Sequence, residues 1–339
     1  MKVDSPSLPE RLRASVQPQL DLLGERGGLP SDGVSAVSLR DSLPMVWACS
    51  DFVAQSCLRD QSILPWLGAE GRLEAGADED WLAAELHRAC GDSFEDAPFK
   101  DALRRFTRRH LVRIAWRDLA GLADIDEILL ELSRLADACI RASYRNGVAL
   151  LSARHGTPRD VEGKDLEFLV LGMGKLGGRE LNFSSDIDLV FLFPAHGETD
   201  GRRPLSYEEY FARLGKHIAR QLGSVTAEGF VYRVDLRLRP FGDSGPVAVS
   251  FDAFEDYLQH HGRDWERYAF VKAGPVSGEN AFHDLYRDVL RPFVYRRYLD
   301  FSVFESLRNM KNLIEREVER RDLQANIKLG PGGIREIEF

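Results

Sequence analysis

The stretch LGMGKLGGRELNFSSDIDLVFLF, residues 171–193, fixes more of the fold than any other part of the chain. An apolar run (EFLVLG, residues 167–172) enters a glycine cluster, and a second (DIDLVFLF, residues 186–193) opens on two aspartates. Such short apolar runs read as central strands of a sheet. Gly172, Gly174 and Gly177 satisfy the dinucleotide spacing G-x-G-x-x-G directly after a strand. A Rossmann unit, however, needs a full crossover helix and places its acid at the end of the second strand. Here only a few residues separate the glycines from Asn182-Phe183-Ser184-Ser185, the acids open the next strand, and Glu198 lies beyond Pro194. The dinucleotide reading is set aside.

The alternative is a glycine loop whose backbone amides approach a phosphate at the start of a short helix, with Gly177 and Gly178 closest. Asp186 and Asp188, two apart on a strand, project from one face while Ile187 and Leu189 enter the core on the other. Carboxylates this close repel unless a cation neutralises them, and magnesium, a hard cation preferring oxygen ligands and substrate phosphates, suits the position. A third run (GFVYRVDLRLRP, residues 229–240) alternates so that Asp235, Arg237 and Arg239 share one face, with Val234, Leu236 and Leu238 on the other. Beside the first pair, Asp235 would complete a three-carboxylate site able to hold two metals, and the arginines would grip phosphate oxygens.

The rest of the chain reads mainly as helix. Residues 1–155 contain no convincing period-2 strand, and the spacing predicts helices over residues 99–119 and 124–154, the latter stopped by Gly156 and Pro158. Arg104, Arg105, Arg108 and Arg109 read as a solvated helix face, and residues 68–80 as an exposed connection. Residues 156–278 mix strand with a helix over residues 207–228. Residues 279–321 return to helix, broken near Pro292. The chain halts at Phe339 inside an apolar, glycine-punctuated approach, as a piece of a longer protein would.

The 45 basic against 54 acidic residues give a net charge of −9, which argues against a whole-protein footprint for nucleic acid or an anionic membrane. No apolar run approaches the ~20 residues of a membrane span, and the N-terminus lacks a signal-peptide pattern, so a cytoplasmic protein is expected. Cys49, Cys57, Cys90 and Cys139 form no C-x-x-C pair and read as buried small hydrophobes. The histidines, among them the adjacent His260 and His261, read as surface or helix-end residues.

Taken together, the glycine pair, Asp-x-Asp and a later strand Asp resemble the polymerase-β-type nucleotidyltransferase fold. The longer motifs GMGKLGGRELNFSSDIDLVFLF, VDLRLRPFGDSGP, GRDWERYAFVKA, VYRRYLDFSV, SLRNMKNLIEREV and NIKLGPGGIREIEF are similar to one family, the bacterial bifunctional glutamine synthetase adenylyltransferase/adenylyl-removing enzymes, from about residue 45 to Phe339. The resemblance implies an α+β chain: a helical N-terminal region (1–155), a nucleotidyltransferase domain with a mixed sheet and flanking helices (156–278), and the truncated start of a helical bundle (279–339). Asn182-Phe183, SDFVAQSCLRD and the start at Met1 are similar to the N-terminal, adenylyl-removing half. That half implies phosphorolysis of the AMP-tyrosine bond of glutamine synthetase, with phosphate as co-substrate and ADP as product. Asp186, Asp188 and Asp235 carry over as metal ligands for Mg2+. Gly177, Gly178 and Ser184 would line the phosphates, with Lys175, Arg237 and Arg239 as supplementary cations. Arg263, Glu266, Arg267 and Lys272, and Arg335, Glu336 and Glu338 at the chain end, read equally well as structural ion pairs. Glutamine synthetase and the PII signal protein are the implied partners. Two other readings are ATP-dependent adenylylation at the same triad and a mainly regulatory module that binds glutamine synthetase or PII.

Overall fold

The computed structural model describes residues 8–26, 34–69, 71–91, 96–295, 301–322, 326–327 and 330–333. The expectation of a further element at the chain end, including Arg335, Glu336 and Glu338, lies outside the described residues. Among the described residues the first strand begins at Leu169, and before it come seven helices: α1 (Glu10–Arg26), α2 (Val34–Cys49), α3 (Asp51–Arg59), α4 (Ile63–Leu67), α5 (Glu79–Cys90), α6 (Asp96–Leu119) and α7 (Ile125–His155). Local chemistry sets the limits of α7. The Asp124 side chain accepts from the backbone N–H of Glu127, and Gly156 takes the positive φ of +80° that closes the helix.

The sheet follows as β1 (Leu169–Gly172), the short α8 (Gly174–Gly177), β2 (Ile187–Phe193), α9 (Tyr207–Gly223), β3 (Val234–Asp235), β4 (Ala248–Ser250), α10 (Phe251–His260), α11 (Asp264–Val271) and β5 (Gly274–Ser277). α12 (Glu279–Leu285), α13 (Arg291–Val294) and α14 (Phe301–Arg320) follow. β1 is antiparallel to both β2 and β5, whereas β2 is parallel to β3 at its start and to β4 at its end. The antiparallel β1–β2 pair is incompatible with a dinucleotide-binding crossover unit, in which those strands run parallel. β4 and β5 were not foreseen, because runs as short as AVS and GPVS carry no legible alternation.

Burial explains why β2 reads as a continuous apolar run. Ile187, Leu189, Phe191 and Phe193 pack with α7 and α9, while Val190 and Leu192 pack on the other face with α10 to α13. Strands covered on both faces lose the polar alternation of a half-exposed sheet. Asp188 belongs to the Val190 and Leu192 series and is the polar residue at its open end. α1 to α4 form a separate apolar cluster closed by Val112, Ala115 and Trp116 of α6.

Several expectations are corrected. The arginines of α6 are a solvated face only at Arg105: Arg104 is buried and donates to the carbonyls of Gly229 (2.8 Å) and Gln221 (3.2 Å), and the half-buried Arg108 donates to Glu228 (2.9 Å). Arg104 and Arg108 hold the turn that leads into β3, and the cost of burying a guanidinium is offset by filling its donors. Residues 68–80 are not simply an exposed connection, since Leu73 and Ala77 are buried and the Leu73 carbonyl accepts from Arg117 (3.1 Å). Among the histidines, His110 and His217 are buried, and Cys49 is exposed rather than interior. The break near Pro292 is a π-turn over Tyr286–Leu290, placed where the missing proline N–H leaves the α-helical ladder incomplete.

Candidate active site

The glycine loop is bolted down from three directions. The N–H of Met173 donates to the Asp188 carbonyl (2.9 Å), joining the end of β1 to the start of β2. Beneath the loop, Ser133 of α7 accepts from the Leu181 N–H (3.1 Å), and Arg179 pairs with the buried Asp137. Burial dominates at Asp137 and pushes its carboxyl up to about 6 despite that arginine. From the end of α11, just before β5, Lys272 pairs with Glu180 at 2.5 Å. Gly177 sits where a side chain would strike the backbone of Lys272 and Gly172, so its lack of a Cβ is accounted for by the close approach of β5. Gly178 is less confined, its nearest neighbours being the Gly174 carbonyl and the Lys272 side chain at 3.2 Å.

The three aspartates stand at the same end of neighbouring strands. Asp188 and Asp235 are direct partners across the parallel β2–β3 pair, so they share a face, and Asp186 stands two residues before Asp188 on the same strand path. Ile187, between them, is fully buried on the other face. Asp186 is exposed and ion-paired with Arg233, whose second nitrogen donates to the Ser184 carbonyl (3.1 Å). Ser184 holds a positive φ of +60°. Lys175 reaches Asn182 at 3.4 Å.

The third strand is shorter than its alternation suggests. It ends at Asp235, because that carboxylate accepts the N–H of Arg237 two residues on (2.8 Å), an Asx-type turn that competes with further strand pairing. Arg237 then folds back so that its guanidinium meets the same carboxylate, with Nε at 2.8 Å from Oδ2, and this pairing holds the Asp235 carboxyl below its usual range. Arg239 does not share that face. Its side chain is one-tenth exposed and donates to the carbonyls of Leu236 (2.7 Å) and Gly245 (3.3 Å), bracing the turn.

Arg233 is the residue that sequence reasoning missed. The signal was present, since period-2 alternation carried one step back from Asp235 places Arg233 on the same face. Of the residues read as structural pairs, Glu266 is buried, accepting from the Tyr257 hydroxyl (2.6 Å) and the Arg263 N–H (2.8 Å).

The three carboxylates form a hard oxygen donor set at adjacent strand ends, which fits magnesium in chemical type. Among the described residues no three acidic, histidine or cysteine side chains converge to metal-holding distance, as the two outer carboxylates are turned to Arg233 and Arg237. Both arginine side chains are more than half exposed, so they can release the carboxylates without opening the core.

Residues 41–287 match the family model for glutamate-ammonia ligase adenylyltransferase. The chain belongs to that family. Residues 308–339 also match the model for GlnD PII-uridylyltransferase. Among similar proteins, the bifunctional glutamine synthetase adenylyltransferase/adenylyl-removing enzyme of Shewanella loihica is 51% identical over 88% of this chain and 31% of its own length. Enzymes of the same description from Thioalkalivibrio sulfidiphilus (46%, over 98% and 34%) and Nitrosococcus oceani (48%, over 91% and 32%) are alike. The chain thus spans about a third of the length of these relatives. Among the described residues no helix is long and apolar enough to cross a membrane.

Proposed function

We propose that this chain is a magnesium-dependent nucleotidyltransferase unit and that its reaction is the removal of AMP from adenylylated glutamine synthetase by phosphorolysis. The observation that carries the first half of this reading is the in-register pair Asp188 and Asp235 beside Asp186 and the glycine loop, in a chain of this family. Three mutually repelling carboxylates at one strand end serve no purpose in a pure binding module.

In the proposed reaction an oxygen of inorganic phosphate attacks the α-phosphorus of the AMP-tyrosine diester. The P–O bond to tyrosine breaks, the phenolate leaves and takes up a proton, and the attacking phosphate becomes the β-phosphate of ADP. A phenol of pKa ~10 is a competent leaving group. Magnesium held by Asp186, Asp188 and Asp235 would offset charge on the attacking and departing oxygens. Arg237, Arg233 and Lys175 are the cations nearest the reacting phosphates, with Gly178 and Ser184 on the loop beside them. Gly177 supports that loop against β5, and Arg239 acts through the turn that carries Arg237. Glutamine synthetase is the protein substrate, a PII-type protein is the regulatory partner, and the cytoplasm is the compartment.

The test is to incubate the chain with adenylylated glutamine synthetase, magnesium and phosphate, with Asp188→Asn as control. ADP release that requires both phosphate and Asp188 is the expected result. Pyrophosphate release from ATP with unmodified glutamine synthetase would instead identify the adenylylating reaction.

A further inference from the structure

Away from the aspartates, α5, α6 and the segment between α4 and α5 enclose a cleft of about 320 Å³, at the lower end of the roughly 300–1,000 Å³ typical of small-molecule sites. Among the described residues Arg72, Arg88, Arg105 and Arg109 line it, against the single carboxylate of Glu85. Glu85 is itself shared between Arg72 (3.1 Å) and Arg88 (2.5 Å). The lining is therefore strongly cationic in a protein of net charge −9.

The floor of the cleft is polar and unsatisfied. His110 is wholly buried, lines the cleft, and has no hydrogen-bond partner for either ring nitrogen among the described residues. Its ring is set edge-on to Trp66 and Trp81, each 5.2 Å away, and lies 4.3 Å from Phe106. Burial, with Arg113, Arg109 and Arg72 close by, holds His110 well below its ordinary pKa, so the ring is neutral and has one N–H to donate. The Arg72 guanidinium is held over both indoles, 4.8 Å from Trp66 and 5.0 Å from Trp81, and its buried Nη1 makes no hydrogen bond beyond the ion pair with Glu85. A guanidinium fixed between aromatic rings loses little freedom on taking up a ligand. Buried donors left unmatched are costly, so a site that keeps them is explained by a partner that arrives from solution.

We propose that this cleft is a binding site for a small multivalent oxyanion, either a di- or tricarboxylate or a phosphate compound, with His110 and Arg72 donating from the floor and Arg88, Arg105 and Arg109 from the rim. The anion would share with Glu85 a set of cations that outnumber it. The proposal is independent of the reaction assigned to the aspartates. Its occupant lies on the opposite side of α6 from Arg104 and Arg108, which hold the turn entering β3.

The test titrates the 339-residue chain with citrate and, separately, with pyrophosphate at fixed ionic strength, by calorimetry and by tryptophan fluorescence. The expected result is saturable binding of one probe, weakened about tenfold or more in Arg109→Gln and in Arg105→Gln and unchanged in Asp188→Asn. Those rim variants spare the core, so the test stands if His110→Phe fails to fold. In a folded His110→Phe protein the same weakening is expected. Citrate binding identifies a carboxylate ligand and pyrophosphate binding a phosphate ligand. The proposal is overturned if neither probe saturates by about 10 mM, or if binding survives in both rim variants or is lost in Asp188→Asn.

Discussion

Asp188 and Asp235 stand opposite one another across the shortest parallel strand pair of the sheet, and the Arg237 guanidinium closes over the outer of the two. The pair combines a fixed component, set by backbone register, with a movable one, set by an exposed arginine. Asp188→Asn keeps the shape and removes one charge of the donor set. Turnover is expected to fall by about 10³-fold, corresponding to several kcal/mol of lost electrostatic stabilisation, with the urea midpoint nearly unchanged. ADP release and denaturation curves measured on the same preparation check both parts.

Arg233 acts on Asp186 as a counter-ion that a divalent cation must displace. Because the pair is exposed, its worth is small, about 0.2–1 kcal/mol. Arg233→Ala is therefore expected to bind Mn2+ about two- to fivefold more tightly, read by electron paramagnetic resonance of the free ion. Weaker binding in this variant would mean that Arg233 orients Asp186 rather than competing for it.

The two neighbouring glycines of the loop are expected to respond differently to alanine. A methyl at Gly177 collides with the backbone of Lys272 and Gly172, neither of which is a flexible side-chain end, and costs about 1–3 kcal/mol of stability. At Gly178 the contacts are at 3.2 Å, one of them with the flexible Lys272 side chain, and the loss is expected to stay below about 1 kcal/mol. A stable Gly178→Ala protein with reduced turnover would mark Gly178 as a substrate contact. Thermal denaturation with an ADP assay separates the cases.

These residues show which parts of the structure could be read from the sequence. The buried run of β2 and the end of α7 were legible because they depend on local chemistry, apolar continuity for the strand and the Gly156 stop for the helix. The end of β3 was not, because alternation in RVDLRLRP continues past the point where Asp235 captures the Arg237 N–H and turns the chain. The roles of Arg104 and Arg108 were hidden for another reason. A run of helix arginines looks solvated until the partners of its donors are known, and Gly229 and Glu228 lie more than a hundred residues away.

Glu131 holds the helical region together at a buried charge cluster. Arg113 and Arg117 both pair with it, all three side chains are 1% exposed, and Arg117 also reaches Glu127 at 2.6 Å. Glu131→Gln leaves two guanidiniums buried with less than their compensating charge, and breaking such a cluster costs about 3–5 kcal/mol. The urea midpoint should fall accordingly, and a change below about 1 kcal/mol would show that Glu127 alone suffices.

Acidification should destabilise the chain through its buried histidines. Burial holds His217 down to about 4, and burial also holds His110 well below its ordinary value, so both are neutral in the fold. In the unfolded chain each takes up a proton below pH ~6.5, so their contribution is complete above that pH and is lost as pH falls through it towards 4. Asp137 works in the opposite sense. Its carboxyl, pushed up to about 6, favours the fold most below pH ~4, and that contribution is lost as pH rises through 6. Two histidines outweigh one aspartate, so between pH 6.5 and 5 stability should drop by about 1 kcal/mol per pH unit. His217→Gln keeps a donor for Asn146, which lies 2.9 Å from the ring nitrogen, and removes one titrating group. The remaining histidine and Asp137 then nearly cancel, and the urea midpoint should be almost flat between pH 6 and 5. A wild-type profile already flat across that interval would show that these two rings are reached by protons without unfolding.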